Sequence, residues 1–194
     1  MIRMLFIGNS FVYYNDLPQL MRDEAAKRGD DLFVDSVTKG GYFLHCYTDP
    51  EDEYGRQVME KAKEQWDVVV LQDQSFNPAA NKADTICNAK KLADMFKGAK
   101  ILMYQTWAYR DGSEKLNSTG MSYDELYTKL KEAYIEAAEA VNGTVVPVGD
   151  AFKKLHDEGS KIDVYNKVDN YHPSLEGSLI IRDLFYKAIE DMLK

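Results

Sequence analysis

The sequence predicts an α/β protein: a three-layer α/β/α sandwich built on a five-stranded parallel sheet. Three observations carry that reading. Five short β-rich runs alternate with amphipathic helical patterns from one end of the chain to the other. One of those runs, Val68-Val69-Val70-Leu71, is apolar without alternation, as a strand covered on both faces must be. The chain has 194 residues with no repeat, low-complexity segment or linker, so residues 1–194 are expected to form one domain around one core.

The elements follow in order. Ile2–Ile7 is the first expected strand and runs directly into Gly8-Asn9-Ser10. A helical pattern near 16–28 leads to a second strand at Leu32–Val37. The acids Asp49, Glu51, Asp52 and Glu53 crowd the start of the next helix, 54–65, where negative charge favours the helix dipole; they read as a helix start rather than a metal site. A third strand at Asp67–Leu71, a helix near 82–97 and a fourth strand at Lys100–Tyr104 come next. Ser122, with Glu125 three residues on, makes a capping box that opens a helix over 122–141. The fifth strand, Thr144–Val148, contains Pro147, which lacks an N–H and therefore assigns this strand to a sheet edge. Pro173 suits the first turn of a last helix, 174–193, and pushes His172 to an extended backbone just outside it. The stretches 38–53, 72–81, 106–121 and 156–173 read as irregular. In a parallel sheet the loops after the strands gather at one rim, where ligands bind, and Ser10, Gly40-Gly41, Gln72–Asn77 and Thr106-Trp107 all fall there.

Composition narrows the function. A net charge of −8 and no basic patch argue against nucleic acid as a partner. No apolar run approaches the roughly 18 residues of a membrane span. The apolar start is too short for a signal peptide, so a cytoplasmic protein is expected, a removed leader being left open. Cys46 and Cys87 are far apart and outside any Cys-x-x-Cys pattern, which predicts two free core thiols with no metal or redox role. Neither Gly-x-Gly-x-x-Gly nor a Gly-Lys-Ser/Thr loop is present, which counts against a flavodoxin-like nucleotide binder. No metal or organic cofactor is expected.

Chemistry concentrates at the two ends. A serine on a strand-to-loop turn becomes nucleophilic only when a base takes its proton, and Ser10 stands where its own N–H can face a developing oxyanion. Of the three histidines, only His172 has a carboxylate at i−3 in a segment that can turn; Asp169 can reach Nδ1 and leave Nε2 for the serine. His156 reads as a polar helix-end residue and His45 as a loop residue within reach of a substrate.

On these residues the chain resembles the SGNH (GDSL-type) hydrolases, and within them the bacterial domains whose first block reads Gly-Asn-Ser. The first block is Phe6-Ile7-Gly8-Asn9-Ser10-Phe11, the second Gly40-Gly41-Tyr42-Phe43-Leu44, the third Leu71-Gln72-Asp73-Gln74-Ser75, and the last Asp169 to His172 with Pro173-Ser174. The four occur in order at strand ends over nearly the whole chain. The resemblance implies the flavodoxin-like sheet of the SGNH hydrolase fold, a Ser10-His172-Asp169 triad, and an oxyanion hole of the Ser10 N–H, a glycine N–H and a side-chain amide. Two departures stand out. Asn9 replaces the usual aspartate beside the nucleophile and is expected to shape the loop by hydrogen bonding. The third block lacks Gly-x-Asn-Asp, so its amide falls to Gln74, with Gln72 and then Asn77 as fallbacks; the glycine is Gly41, with Gly40 as fallback.

Tyr13, Tyr14, Tyr42, Phe43, Tyr104 and Trp107 fall on the same rim loops. Trp107, Tyr42 and Asn9 are the expected substrate contacts. The expected function is a serine esterase removing a small acyl group, acetyl above all, from a carbohydrate or similar polar small molecule. A thioesterase, lysophospholipase or acyltransferase on the same triad, or a carbohydrate-binding protein on a decayed scaffold, are the alternatives. Oligomeric state is not legible.

Overall fold

The computed structural model describes residues 1–193. Five parallel strands form one sheet: β1 (Ile2–Gly8), β2 (Leu32–Thr38), β3 (Val68–Leu71), β4 (Lys100–Tyr104) and β5 (Thr144–Val146), in the order β2-β1-β3-β4-β5. Ile7 pairs with Val37 on one side and Leu71 on the other, so the ends of β1, β2 and β3 lie level at one rim. The order reverses between β1 and β3, and the crevice above that reversal is where open α/β sheets bind ligands.

The helices are α1 (Ser10–Tyr13), α2 (Leu17–Arg28), α3 (Leu44–Tyr47), α4 (Glu53–Lys61), α5 (Asn77–Ala80), α6 (Lys82–Met95), α7 (Glu114–Asn117), α8 (Tyr123–Ala140), α9 (Val148–Asp157) and α10 (Leu175–Ile189). They cover both faces of the sheet. Met4, Phe6, Val68, Val70, Leu102 and Tyr104 pack on one side with Met21 of α2 and Ile181 and Phe185 of α10. Leu5, Ile7, Val69, Leu71 and Met103 pack on the other with Val58 of α4, Leu92 of α6 and Tyr134 of α8. All four residues of β3 are fully buried, which explains the run without alternation; each large apolar side chain so buried is worth about 1.5–3 kcal/mol.

The local signals behave as their chemistry requires. Asp52 caps α4, its carboxylate accepting from the Tyr54 and Gly55 N–H groups, while Glu53 stands in the first turn. Ser122 and Glu125 make both bonds of the capping box on α8. β5 does lie at an edge, but it is shorter than expected. Pro147 (φ −86°, ψ 59°) turns the chain out of the sheet, and Val148, expected as the last residue of the strand, instead opens the helix α9, an element not among the expected helices, which buries Val148, Gly149 and Phe152. The thiols also differ from expectation: Cys46 is only half-buried and Cys87 is exposed, so neither is a core residue. Among the described residues no helix is long and apolar enough to cross a membrane.

Candidate functional site

Gly8, Asn9 and Ser10 each have a distinct physical reason. A Cβ on Gly8 would lie 2.6 Å from Gln72 Oε1 and 2.8 Å from a Val12 methyl, so only glycine lets β1 end this close to the loop after β3. Asn9 is buried; its Oδ1 accepts from the Phe11 N–H and caps α1, while its Nδ2 donates to the Tyr42 carbonyl at 3.0 Å. Ser10 is the first residue of α1, where an amide has no intrahelical acceptor, so its N–H is left free.

At the other end of the chain, Asp169 Oδ1 accepts from the Tyr171 and His172 N–H groups, closing a turn that brings Oδ2 within 2.9 Å of His172 Nδ1. A carboxylate there calls for the proton on Nδ1, which leaves Nε2 as the acceptor for Ser10 Oγ at 2.8 Å. Ser10, His172 and Asp169 thus form one continuous hydrogen-bonded line. Burial pushes the Asp169 carboxyl up, but the two backbone donors and the imidazole outweigh it and hold it below the usual carboxylate value.

Several side chains unforeseen in this role hold the histidine. The Tyr14 ring stacks on the imidazole at 4.3 Å and 9°, and its hydroxyl accepts from Asn166 Nδ2 at 2.8 Å. Asn166 N–H donates to the His172 carbonyl, Asn15 Nδ2 to that of Pro173, and Arg110 N–H to that of Asn170. Asn170 (φ 62°) adopts the left-handed conformation that asparagine tolerates.

The loops after β2 and β3 join the same rim. Lys39 to Tyr42 form a turn closed by a Tyr42 N–H to Lys39 carbonyl bond at 3.2 Å, with Gly41 at φ +75°, a conformation that favours glycine. Gly40 is constrained differently: a Cβ there would meet the Tyr13 hydroxyl at 2.7 Å. Neither glycine N–H has an acceptor among the described residues. Beneath this turn Tyr47 donates to the Gly8 carbonyl, and its oxygen accepts from the Lys39 N–H, tying the ends of β1 and β2.

Asp73 fastens the second and third loops together. Fully buried, its carboxylate accepts from the Leu44 N–H (2.9 Å), the Gln74 N–H (2.7 Å), Asn77 Nδ2 (2.8 Å) and Thr85 Oγ1. Burial raises its carboxyl above the ordinary value against the pull of those donors. The three amides expected as alternatives now separate. Gln72 is buried, with Oε1 accepting from the Asn9 N–H and Nε2 donating to the Asp73 carbonyl, so it is committed to the scaffold. Asn77 donates to Asp73 and Asp84. Gln74 anchors its oxygen on the Phe76 and Asn77 N–H groups, and its NH₂ has only a 3.4 Å contact with Ser75 Oγ.

Two expected substrate contacts fail on burial. Trp107 is fully buried, its indole stacked on Phe11 at 4.3 Å and its Nε1 donating to the Tyr171 carbonyl; it supports the His172 loop from below and cannot touch a ligand. Asn9 has both polar ends spent inside the protein. Tyr104 is likewise core. Tyr42 is partly exposed, with its hydroxyl donating to Asp52. His45 pairs with Asp84 at 3.1 Å, and His156 stacks on Tyr123 far along the chain from Ser10. Among the described residues no three His, Cys, Asp or Glu side chains converge as a metal site requires.

Compared by sequence, the chain matches no family model and no curated protein. Its fold does have likenesses. A protein from Slackia heliotrinireducens assigned to the SGNH hydrolases superimposes with a TM-score of 0.87 at 27% identity, covering 97% of this chain and 98% of that one. A DUF4886 family protein from Bacteroides uniformis gives 0.77 at 18% identity, over 98% and 83%. An acetylxylan esterase from Geobacillus stearothermophilus gives 0.64 at 16%, over 97% and 94%; at such identities the likeness is one of fold.

Proposed function

Because this chain belongs to the SGNH (GDSL-type) hydrolase superfamily, we propose that it is a serine esterase that removes a small acyl group, acetyl above all, from a polyhydroxylated small molecule. The observation that carries the reading is the hydrogen-bonded line from Ser10 Oγ through His172 to Asp169. Such a line has no value to a protein that only binds.

Ser10 Oγ attacks the ester carbonyl as His172 Nε2 takes its proton, and Asp169 stabilises the imidazolium through Nδ1. The carbonyl oxygen becomes an oxyanion. The free Ser10 N–H, the Gly41 N–H and the Gln74 NH₂ are the donors assigned to it, since Gln72 and Asn77 are spent elsewhere. His172 then protonates the departing alcohol. Water activated by the same imidazole attacks the acyl-enzyme and releases the acid and Ser10. The reaction needs no cofactor. Removal of a small acyl group accords with the acetylxylan esterase likeness, and with rim loops whose helices are no more than four residues long.

Hydrolysis of p-nitrophenyl acetate, butyrate and octanoate by the wild type and by Ser10→Ala tests this. Turnover favouring acetate, lost by about 10⁶-fold in kcat in the variant, is the expected result. Equal activity in Ser10→Ala would overturn the mechanism, and preference for octanoate would overturn the small-acyl reading.

A further inference from the structure

We propose that the alcohol part of the substrate carries a carboxylate, and that Lys115 is the residue that selects it; this rests on the esterase reading above. A cleft of about 280 Å³ opens beside the rim between the loops after β2, β3 and β4, bounded by Phe43, Gln74, Phe76, Tyr109, Lys115 and Thr119. It shares Gln74 with the assigned oxyanion donors, so a molecule in the cleft stands next to the scissile ester.

Lys115 is the one cation on that lining. Its ammonium lies 5.5 Å from the centroid of the Tyr109 ring and 5.0 Å from that of Tyr171. No carboxylate among the described residues pairs with it. Two rings therefore hold the charge in place without neutralising it. Tyr171 itself packs against the His172 imidazole at 4.2 Å, so a single ring separates the ammonium from the catalytic base. The chain carries a net charge of −8, a field that repels anions, and a local uncompensated cation at the site reverses it where the substrate must bind.

The remaining polar groups say what accompanies the charge. Ser118 Oγ donates to the Lys115 carbonyl and Thr119 Oγ1 to that of Leu116, so neither hydroxyl has a proton left for a ligand and each can act only as an acceptor, Thr119 Oγ1 being already shared with the Met121 N–H. They suit hydroxyl groups of the ligand and not further anionic oxygens. One ammonium compensates one charge. The combination fits a hydroxylated monocarboxylate such as a uronic acid, and lacks the several donors a phosphate demands. The small acyl group then occupies the serine side, and the acidic sugar lies in the cleft as leaving group.

The test compares an O-acetylated methyl glucuronoside with its carboxylate free against the same compound as methyl ester, by acetate release. Wild type, Lys115→Met and Lys115→Arg are measured, with folding checked by circular dichroism melts. A preference of about tenfold for the free acid in the wild type is expected, as one charge-assisted contact gives. It should disappear in Lys115→Met through KM, survive largely in Lys115→Arg, and shrink at high salt. Equal use of acid and methyl ester by the wild type, or a preference that survives in Lys115→Met, would overturn the proposal. Turnover of p-nitrophenyl acetate with neither glucuronoside cleaved would overturn it while leaving the esterase reading standing. If the wild type cleaves no ester at all, both fall.

Discussion

The Tyr14 ring lies flat against the His172 imidazole, 4.3 Å between centroids and 9° between planes. Tyr14 is four residues beyond Ser10, so the proposed nucleophile and the proposed base are positioned by the same turn of chain. The face of an aromatic ring is electronegative and favours the imidazolium formed when the serine proton moves. Removing the ring in Tyr14→Leu should lower kcat on an acetyl ester by about two- to tenfold, on a stacking contribution of roughly 0.5–1.5 kcal/mol. Tyr14→Phe keeps the ring and loses only the acceptor for Asn166, so it should retain most of the rate. Steady-state kinetics on the two variants checks this, and equal losses in both would mean that the hydroxyl, not the ring, is what matters.

Gln74 is the amide of the third block whose NH₂ makes no bond but a long one, 3.4 Å to Ser75 Oγ, and so keeps a proton for an oxyanion. Gln74→Glu keeps an oxygen for the Phe76 and Asn77 N–H groups and removes the donor, so it isolates the oxyanion role from the turn. Loss of one such donor costs about 100- to 1,000-fold in kcat with little change in KM. Gln72→Ala should behave differently. It leaves the buried Asn9 N–H unpaired, and denaturant melts should record about 1–3 kcal/mol of lost stability.

How much of this was legible in the sequence follows from how local each signal is. Strand runs, the Ser122–Glu125 box and the Asp-x-x-His turn depend on residues within a few positions, and each stands where its chemistry requires. Helix α9 was missed because Pro147 and Gly149 both argue against a helix, and only packing on the sheet makes Val148 and Phe152 one buried face. Trp107 was misread because a residue at a strand's end reads as rim, whereas its ring points down onto Phe11. The choice among Gln72, Gln74 and Asn77 lay in hydrogen bonds that cross 63 residues in one case, which no spacing reveals.

Trp107 gives the corresponding prediction about stability. A fully buried indole replaced by alanine leaves a large cavity, and Trp107→Ala should cost about 3–5 kcal/mol in a denaturant melt. Trp107→Phe should lose less and leave KM unchanged. A raised KM at full stability would restore this side chain to the ligand site.

Asp169 carries the pH dependence with a definite sign. Its folded-state carboxyl is held below the unfolded value, so its contribution to stability is complete above the unfolded value, about pH 4, and is lost as the pH falls through the folded one. Asp169→Asn has no such titration. The stability gap between wild type and Asp169→Asn should therefore be full at pH 7 and narrow on acidification below about pH 4, as urea melts across that range would show. Activity has its own signature. In Asp169→Asn an NH₂ can stand where the carboxylate accepted from Nδ1–H, which favours the tautomer with its proton on Nε2, facing Ser10. A fall of about 10⁴-fold in kcat is expected at pH 7. A gap that widens on acidification would mean that Asp169 is protonated in the fold, and the imidazole would then be held without a carboxylate, by Ser10 Oγ and its ring neighbours Tyr14, Phe11 and Tyr171.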